Sequence, residues 1–371
     1  MICPAPRHVT TTTVELTSVT ASTIRLVPEL VVIAEQLLAP VPGGTGRYTA
    51  ELLRALGETA PPGWEVTGVV ARRPKGQVTG LRMLPLPPRA LVAAWQLGVP
   101  YWPGGDAVHA PTPLAPPRGP VSVTVHDTVP WTHPETLTPR GVSWHRRMIG
   151  RAARRARGLV VPTRAVADDL WRWIPVSVPV HVAGHGVAAA LSAPEDVPDL
   201  PERFVLAVGT LEPRKGIDVL LDAMAELDVP LVLVGQPGWG GVEARRDGVD
   251  VRVLGRLPDA RLAGVLRRAA VLAVPSRAEG FGLPLLEAMA AGVPVVHSDA
   301  PALVEVAGGA GLCVPRGDAR ALAAGLREVL GSPSRASALV EAGWARAAEF
   351  SWRRSAEAVW RIHTGSEVVS S

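Results

Sequence analysis

The feature that most constrains this chain is the repeated alternation of short β-branched runs with longer segments rich in Ala, Leu and Arg. Such alternation is typical of βαβ units, in which a helix connects two parallel strands of one sheet. It runs from residue 30 to residue 173 and begins again at residue 204. We therefore predict an α/β protein with two Rossmann-like doubly wound domains that face a central cleft, where such sheets bind their ligands.

A Pro-rich stretch without periodicity, residues 192–203, separates the two alternating regions and predicts the domain boundary. The first domain is predicted over residues 28–191 and the second over 204–348, and a final helix is predicted within 349–365. Residues 1–27 contain a Thr- and Ser-rich run and are predicted to be a disordered extension. We expect the boundary stretch to act as a hinge when the domains close.

Charge and cysteine usage exclude several classes of protein. The 371 residues include 38 Lys and Arg against 34 Asp and Glu, and this net charge of +4 is too small to predict binding to nucleic acid. Cys3 and Cys313, the two cysteines, can form neither a disulfide framework nor a metal cluster. The N-terminus lacks a basic start followed by an apolar run, so no signal peptide is predicted. We expect a soluble, cytoplasmic protein.

The segment EGFGLPLLE, which begins at Glu279, carries the richest chemistry. It follows an apolar run, so Glu279 is predicted at the carboxyl end of a strand. Gly282 and Pro284 predict a helix start whose free N–H groups can receive a phosphate, and Glu287 is predicted in the first turn of that helix. A glycosidase pair is not favoured, because eight helical residues span about 12 Å, whereas retaining glycosidases hold their carboxyls about 5 Å apart. A capped helix with an acidic first turn would also explain the pattern.

The segment EPRKG places Arg214 and Lys215 after a predicted strand and before a helix. Both cations are therefore expected at the same cleft. An Arg fork and a Lys ammonium suit the oxygens of a diphosphate, and they would stabilise the charge that builds up on a leaving diphosphate. The other interpretation is an ordinary solvated turn. It is weakened because Lys215 is one of only two lysines in a chain with 38 Lys and Arg.

Two further segments follow strands of the first region. PGGTGRY, residues 42–48, is predicted as a glycine loop before a helix that starts near Arg47, but its glycines do not match the dinucleotide pattern G-x-G-x-x-G. No acidic residue ends the second strand to bind an adenosine ribose, which counts against a nicotinamide-dependent oxidoreductase. VHD places His126 at a strand end, where it could bind a sugar hydroxyl or serve the structure alone.

In this order the four segments resemble the retaining glycosyltransferases of family 4, which have the GT-B fold, over about residues 30–365. EGFGLPLLE resembles the E-x7-E motif of that family and EPRKG its diphosphate loop. PGGTGRY resembles its N-terminal glycine loop, and VHD resembles its active-site histidine. FSWRRSAEAVW, residues 350–360, matches a terminal segment whose helix crosses back to the first domain. Where relatives carry Asn-Gly-Val-Asp, residues 185–188 read His-Gly-Val-Ala, so no role is carried over there.

The resemblance implies a nucleotide-sugar donor in the second domain and a glycan or lipid-linked acceptor in the first. Its implied catalytic residues are His126, Arg214, Lys215 and Glu279. Its implied donor-binding residues are Gly44, Arg214, Lys215, Arg256, Leu257, Glu279, Gly280, Phe281, Gly282, Leu283 and Glu287. Among these, Gly44 would approach the phosphates, Glu287 would bind the ribose hydroxyls, and Arg256 and Leu257 would receive the base.

No cofactor and no metal are expected, because the two cations would do the work of a metal, and no D-x-D motif is present. GDP-mannose is the expected donor. Alternatives are a sugar-nucleotide 2-epimerase-like isomerase on the same architecture, an oxidoreductase, and a catalytically silent binding protein. The segment 144–158 carries six Arg with Trp144, Met148 and Ile149, and it could dock on anionic lipid at the cytoplasmic membrane face or be a solvated helix face.

Overall fold

The computed structural model describes residues 27–40, 42–73 and 79–365. The predicted N-terminal extension therefore lies, except for residue 27, outside the described residues. Within the described part of the chain, two parallel sheets with flanking helices follow one another in sequence.

The first sheet has seven strands, in the order β3-β2-β1-β4-β5-β6-β7. Its strands are β1 (Glu29–Ile33), β2 (Glu65–Val70), β3 (Arg82–Met83), β4 (Ala107–Ala110), β5 (Val121–Thr124), β6 (Gly158–Val161) and β7 (Val180–Val182). Its helices are α1 (Gly43–Glu58), α2 (Pro88–Leu97), α3 (Val129–Thr132), α4 (Pro139–Arg155) and α5 (Arg164–Trp173). The strand order reverses beside β1, and this is the point where doubly wound sheets open a crevice for ligands.

The second sheet has six strands, in the order β10-β9-β8-β11-β12-β13. Its strands are β8 (Val205–Val208), β9 (Leu231–Val234), β10 (Val251–Gly255), β11 (Val271–Val274), β12 (Val295–Ser298) and β13 (Leu312–Val314). The helices that follow β8 are α6 (Ile217–Met224), α7 (Asp259–Arg268), α8 (Leu283–Ala290), α9 (Pro301–Ala307), α10 (Ala319–Gly331), α11 (Pro333–Ala347) and α12 (Trp352–Thr364). The order reverses beside β8, so this sheet also has a switch point.

The final helix, α12, packs against α1 of the first sheet rather than against the second. Trp360 is 1% exposed, and its indole N–H donates to Leu56 O at 3.3 Å. Trp352 donates in the same way to Val187 O at 3.1 Å. A Cβ on Gly186 would lie 2.6 Å from the backbone nitrogen of Trp352, so this turn must be glycine for the chain to cross so closely. The end of the chain therefore ties the two sheets together.

Several elements differ from the prediction. The glycine segment is not a loop, because α1 begins at Gly43, four residues before the predicted start, and its glycines form the first helical turn. β12 begins at Val295, two residues later than predicted, directly after Pro294, which has no N–H to donate to the ladder. The unpredicted helices α2, α9 and α11 each carry a proline at their first position, where proline starts a helix rather than breaking it.

Helix α4 contains most of the basic segment 144–158, for which the sequence analysis considered docking on anionic lipid. Met148 and Ile149 are each 2% exposed and belong to the core, so neither side chain is available to a lipid surface. The helix turns these apolar side chains inward because they recur on the face that packs against the sheet. Among residues 27–40, 42–73 and 79–365, no helix combines the length and the apolar character that a bilayer crossing requires.

Candidate active site between the two sheets

The carboxyl ends of the two sheets open onto one cleft of about 950 Å³. Eleven of the twelve sequence-predicted site residues line it, namely Gly44, His126, Arg214, Lys215, Arg256, Leu257, Glu279, Gly280, Phe281, Gly282 and Leu283. Glu287 is the twelfth, and it lies one helical turn beyond Leu283 in α8 and is 2% exposed. The fold therefore brings together residues that are up to 243 positions apart in the sequence.

Two cations converge on one carboxylate at the second sheet. Lys215 Nζ lies 2.5 Å from Glu279 Oε1, and Arg214 Nη1 lies 3.0 Å from Glu279 Oε2. The hydroxyl of Ser276 also donates to Glu279, at 2.8 Å. The contact arises because β8 and β11 are neighbouring parallel strands, so the loops that follow them meet at the same edge of the sheet.

Charge compensation keeps this cluster ionised although it is buried. Burial alone would raise the pKa of Glu279, but Lys215 and Arg214 outweigh it and lower that pKa to about 2. Burial would lower the pKa of Arg214, but Glu279 and Glu212 raise it. Glu212 Oε1 accepts from Arg214 Nη2 at 2.5 Å. The Arg214 and Lys215 side chains remain 17% and 16% exposed, so an anion in the cleft can reach both.

The backbone of residues 280–283 forms the floor of the cleft. A Cβ on Gly280 would lie 1.7 Å from His126 O, so only glycine allows the second sheet to meet the first here. Thr163 reinforces this contact by donating its hydroxyl to Gly280 O at 3.0 Å. Gly282 has a φ of +92° and precedes α8. Within the first turn of α8, Pro284 has no N–H and the N–H groups of Leu285 and Leu286 donate to Gly282 O, which leaves the N–H of Leu283 to face a phosphate. Pro284 is the second residue of α8 and not the predicted first.

The side chain of Phe281 packs away from solvent and is 4% exposed. Its ring lies 4.4 Å from the ring of His185, measured between centroids. Phe281 can therefore offer a ligand only its backbone. His185, which departs from the pattern of the family that the sequence resembles, is 4% exposed and stacks on Trp352 with centroids 5.6 Å apart. His185 therefore packs this turn against the end of the chain.

His126 lies opposite the charged cluster, on the first sheet. Its Nε2 lies 2.8 Å from Pro111 O, and its ring stands edge-on to Tyr48 with centroids 4.7 Å apart. Burial lowers the pKa of His126, which favours the neutral imidazole. Because a carbonyl can only accept, Nε2 carries the proton and Nδ1 is an acceptor. His126 can therefore accept a hydrogen bond from a sugar hydroxyl.

Glu287 lies in the second turn of α8, not in the predicted first turn, and it has a partner that the sequence did not suggest. Arg47 Nη1 lies 2.6 Å from Glu287 Oε1, and Arg47 Nη2 lies 2.5 Å from Asp259 Oδ1. Burial raises the pKa of Glu287 to about 7, although Arg47 opposes this rise. The sequence analysis did not select Arg47 as a site residue, and the signal that could have found it is its place directly after the glycine segment. Nothing local connects it to residues more than 200 positions away.

Two further contacts across the cleft were not predicted either. Glu305 of α9 caps the start of α5: its carboxylate accepts from the backbone N–H of Arg164 at 2.7 Å and of Ala165 at 2.9 Å. The indole N–H of Trp239 donates to Thr136 O. Trp239 belongs to the loop after β9, and Thr136 to the first sheet's side of the cleft. Together with Arg47 and Thr163, these contacts hold the two sheets in a closed arrangement.

The chemistry of this cleft is that of a site for a charged, hydroxyl-rich ligand. Arg214 and Lys215 offer positive charge, Glu279 and His126 offer acceptors, and the start of α8 offers the N–H of Leu283 as a donor. Among the described residues, no group of three or more His, Cys, Asp or Glu side chains is arranged to hold a metal ion.

Comparisons with known proteins agree with this description. The sequence model of the family described as "Glycosyl transferases group 1" matches residues 202–332. Phosphatidyl-myo-inositol mannosyltransferase of Mycobacterium leprae is 32% identical over 334 residues, which is 78% of this chain and 84% of that enzyme. O-antigen chain mannosyltransferase B of Escherichia coli is 40% identical over 161 residues, only 40% of this chain and 42% of that enzyme. Sucrose-phosphate synthase of Thermosynechococcus elongatus shares the fold with a TM-score of 0.71 at 22% identity, covering 91% of this chain and 98% of that structure.

Proposed function

The chain belongs to the group 1 glycosyltransferases, the retaining family 4 enzymes of the GT-B fold, and we propose that it transfers mannose from GDP-mannose to a glycan or lipid-linked acceptor. Membership of the family establishes the reaction class, which is glycosyl transfer, and the predicted GT-B fold is confirmed. The identities of the donor and the acceptor are what we propose. The observation that supports mannose is that both sequence relatives described above are named mannosyltransferases.

The charged cluster supports departure of a diphosphate. When the bond between the sugar and the phosphate oxygen breaks, negative charge builds up on the nucleoside diphosphate, and Lys215 and Arg214 are fixed where they can stabilise it. The bond between the acceptor oxygen and the anomeric carbon forms on the same face, and the acceptor proton passes to the departing phosphate. Because two cations already face the diphosphate, we propose that the reaction needs no metal.

The remaining residues would orient the transferred sugar and the nucleoside. Glu279 and the Nδ1 atom of His126 are acceptors for sugar hydroxyls, and Glu287 is an acceptor for the ribose. Arg256 and Leu257 follow β10 at the cleft and would border the base. The alternative reaction, epimerisation of a sugar nucleotide, finds no support in the family assignment.

We also propose a cytoplasmic location with peripheral contact at the membrane face. Arg147, Arg154 and Arg155 of α4 line a surface hollow beside Leu97, whose side chain is 82% exposed. Burial and the neighbouring Arg155 and Arg147 lower the pKa of Arg151, which means that positive charges crowd together at this surface. Crowded arginines beside an exposed apolar side chain suit anionic lipid headgroups.

Vesicle sedimentation tests the membrane part of the proposal. The triple variant of Arg147, Arg154 and Arg155 to Ala is expected to lose binding to phosphatidylglycerol vesicles. Changing Arg327 and Arg335, which lie on the second domain, to Ala is the matched control. Equal binding by the triple variant and the control, or equal binding to neutral phosphatidylcholine, contradicts the membrane contact.

A thermal-shift panel of GDP, UDP, ADP and their sugar conjugates, with NAD as control, tests the donor. A ligand that binds only the folded state raises its stability by RT ln(1 + [L]/Kd), so the correct base gives the largest shift. We expect GDP and GDP-mannose to stabilise the protein. A shift with UDP alone would keep glycosyl transfer and discard mannose. A shift with NAD and with no nucleoside diphosphate would contradict the whole proposal.

Product analysis then separates transfer from epimerisation. The protein is incubated with GDP-mannose, alone and with mannose-terminated oligosaccharide or phosphatidylinositol as acceptor. Transfer predicts GDP release that depends on the acceptor and a glycoside that retains the α-configuration of the donor. Conversion of the sugar nucleotide without GDP release, in the absence of any acceptor, would support the epimerase instead.

A further inference from the structure

The side chain of Arg47 links the two sheets through two carboxylates at once. It belongs to α1, beside the first sheet, and its guanidinium reaches Glu287 on α8 at 2.6 Å and Asp259 at the start of α7 at 2.5 Å. Both helices flank the second sheet. The planar fork of arginine can hold two carboxylates in fixed directions, which a single ammonium group cannot do.

The geometry requires that α1 and α8 touch. A Cβ on Gly44 would lie 3.7 Å from Leu283 Cδ1, so the first turns of the two helices lie close together although glycine has no Cβ to make this contact. Arg47 lies one turn beyond Gly44, and Glu287 lies one turn beyond Leu283. The ion pair is therefore available only while the first turns of these helices are in contact, which is the closed arrangement of the cleft.

The hydrogen-bonding capacity of the Glu287 carboxylate is only partly used in this arrangement. Its side chain is buried, Oε1 accepts from Arg47, and Oε2 has no hydrogen-bond partner among the residues that the structure describes. A buried carboxylate oxygen without a donor is unfavourable, because it has lost its hydrogen bonds to water and no protein donor replaces them. A hydroxyl donor supplied by a ligand would remove this penalty, and a ribose carries two such hydroxyls.

We propose that Arg47 is a positioning residue for the nucleoside of the donor: by holding Glu287 Oε1 and Asp259 from across the cleft, it fixes the Glu287 carboxylate so that Oε2 accepts a ribose hydroxyl. The inference rests on the proposed function, because it takes Glu287 as the acceptor for the ribose. It couples donor binding to closure, since the same guanidinium joins α1 to α7 and α8.

The pKa of Glu287 gives a test that distinguishes a positioning role of Arg47 from a role in packing. Burial raises its pKa, Arg47 lowers it, and Asp259 raises it. Charged groups on the other elements packed against α8 are engaged elsewhere: Glu305 caps α5, Arg346 pairs with Glu349, Arg335 pairs with Glu328, and His297 Nδ1 contacts Ser298 O. Glu341 of α11 is exposed. Changes at Arg47 and Asp259 should therefore move the ionisation of Glu287 in opposite directions.

Isothermal titration of GDP into the full chain tests the proposal. Arg47→Gln is expected to weaken GDP binding at least tenfold, and Arg47→Lys to weaken it less, because the ammonium keeps the charge but holds only one carboxylate. Arg54→Gln is the matched control, since Arg54 lies on the same helix and pairs only with Glu51 and Glu58 of α1. It should leave the affinity unchanged. Thermal melts confirm that each variant is folded.

The titrations are repeated from pH 5.5 to pH 9. Wild-type affinity should rise with pH as Glu287 ionises, with Glu287→Gln as the baseline that retains only the titration of GDP itself. Arg47→Gln should move the midpoint to higher pH and Asp259→Asn to lower pH. A role for Arg47 in packing alone would reduce affinity without moving the midpoint.

The failures of the two proposals are distinguishable. If wild-type protein binds GDP and Arg47→Gln binds it within twofold and with the same midpoint, the role of Arg47 is overturned and the donor proposal stands. If UDP binds in place of GDP, the same variants are compared with UDP, because the ribose is common to both. If wild-type protein binds no nucleoside diphosphate, the proposed function fails and the role of Arg47 fails with it.

Discussion

Lys215 Nζ lies 2.5 Å from Glu279 Oε1, although 64 positions separate the two residues in the chain. The pair forms because their strands are neighbours in the second sheet, and it leaves an ammonium group and a carboxylate at the same edge of the cleft. Under the proposed function, the ammonium group would face the diphosphate of the donor and the carboxylate would accept from a hydroxyl of its sugar.

Lys215→Ala and Glu279→Ala are each expected to reduce kcat at least tenfold while leaving the fold intact. Under the proposed function, the first removes a charge that would stabilise the departing diphosphate, and the second removes an acceptor for the transferred sugar. Steady-state kinetics with circular dichroism measures both effects. Arg327→Ala, at the surface of the second domain, is the control. A variant that unfolds, or one that turns over near the wild-type rate, would count against the assigned role.

The contributions of Glu279 and Glu287 to the free energy of unfolding should change with pH in opposite directions. The pKa of Glu279 is lowered from 4.5 to about 2, so its contribution is present above pH 4.5 and is lost as the pH falls through 2. The pKa of Glu287 is raised from 4.5 to about 7, so its contribution is full below pH 4.5 and is lost as the pH rises through 7.

Urea unfolding between pH 2.5 and pH 8.5 measures this dependence. Glu279→Gln should flatten the acid side of the stability curve, and Glu287→Gln should flatten the side between pH 4.5 and 7. If both variants follow the wild-type curve at a constant offset, neither carboxylate has the shifted pKa.

Gly280→Ala should impair donor-dependent activity because its methyl group would meet His126 O at 1.7 Å and push the two sheets apart. We expect at least a tenfold rise in the KM for the donor. Gly57→Ala is a matched control: its Cβ would meet nothing within 4 Å, and in a helix this change is neutral or stabilising by about 0.5–1 kcal/mol. Equal KM values for the two variants would mean that the contact at Gly280 is not needed for donor binding.

Trp360→Ala should destabilise the protein by about 3–5 kcal/mol, because the side chain is 1% exposed and the change leaves a cavity between α12 and α1. Trp344→Ala removes the same side chain from a site that is 53% exposed and should cost clearly less, because about half of the indole stays in water. Chemical denaturation compares the two. Similar losses would show that α12 does not stabilise the first sheet.

Removal of divalent metals should leave the rate of glycosyl transfer unchanged. The reason is that Arg214 and Lys215 already supply positive charge at the proposed diphosphate position. The assay compares EDTA-treated protein with the same protein after Mg²⁺ or Mn²⁺ is restored. Loss of activity with EDTA and recovery with either ion would overturn the metal-independent reaction.

The sequence alone was sufficient for the architecture. Buried parallel strands are continuous apolar runs, so β6, β9 and β11 were predicted with the bounds that the structure has. Most errors fall where a local signal has two meanings. A proline can break a helix or begin one, and Pro88, Pro301 and Pro333 each begin one. Glycines can form a loop or a first helical turn, and in α1 they form the turn.

The residues that carry charge at the site were also readable from the sequence, because Glu279, Arg214 and Lys215 stand in short motifs beside strands. Their pairing was not readable, since it depends on which strands are neighbours in the sheet. The same holds for Arg47, whose partner Glu287 is 240 positions away and on the other side of the cleft. Motifs act over a few residues, whereas ion pairs and pKa shifts depend on distance and burial in space, so only the tertiary structure decided them.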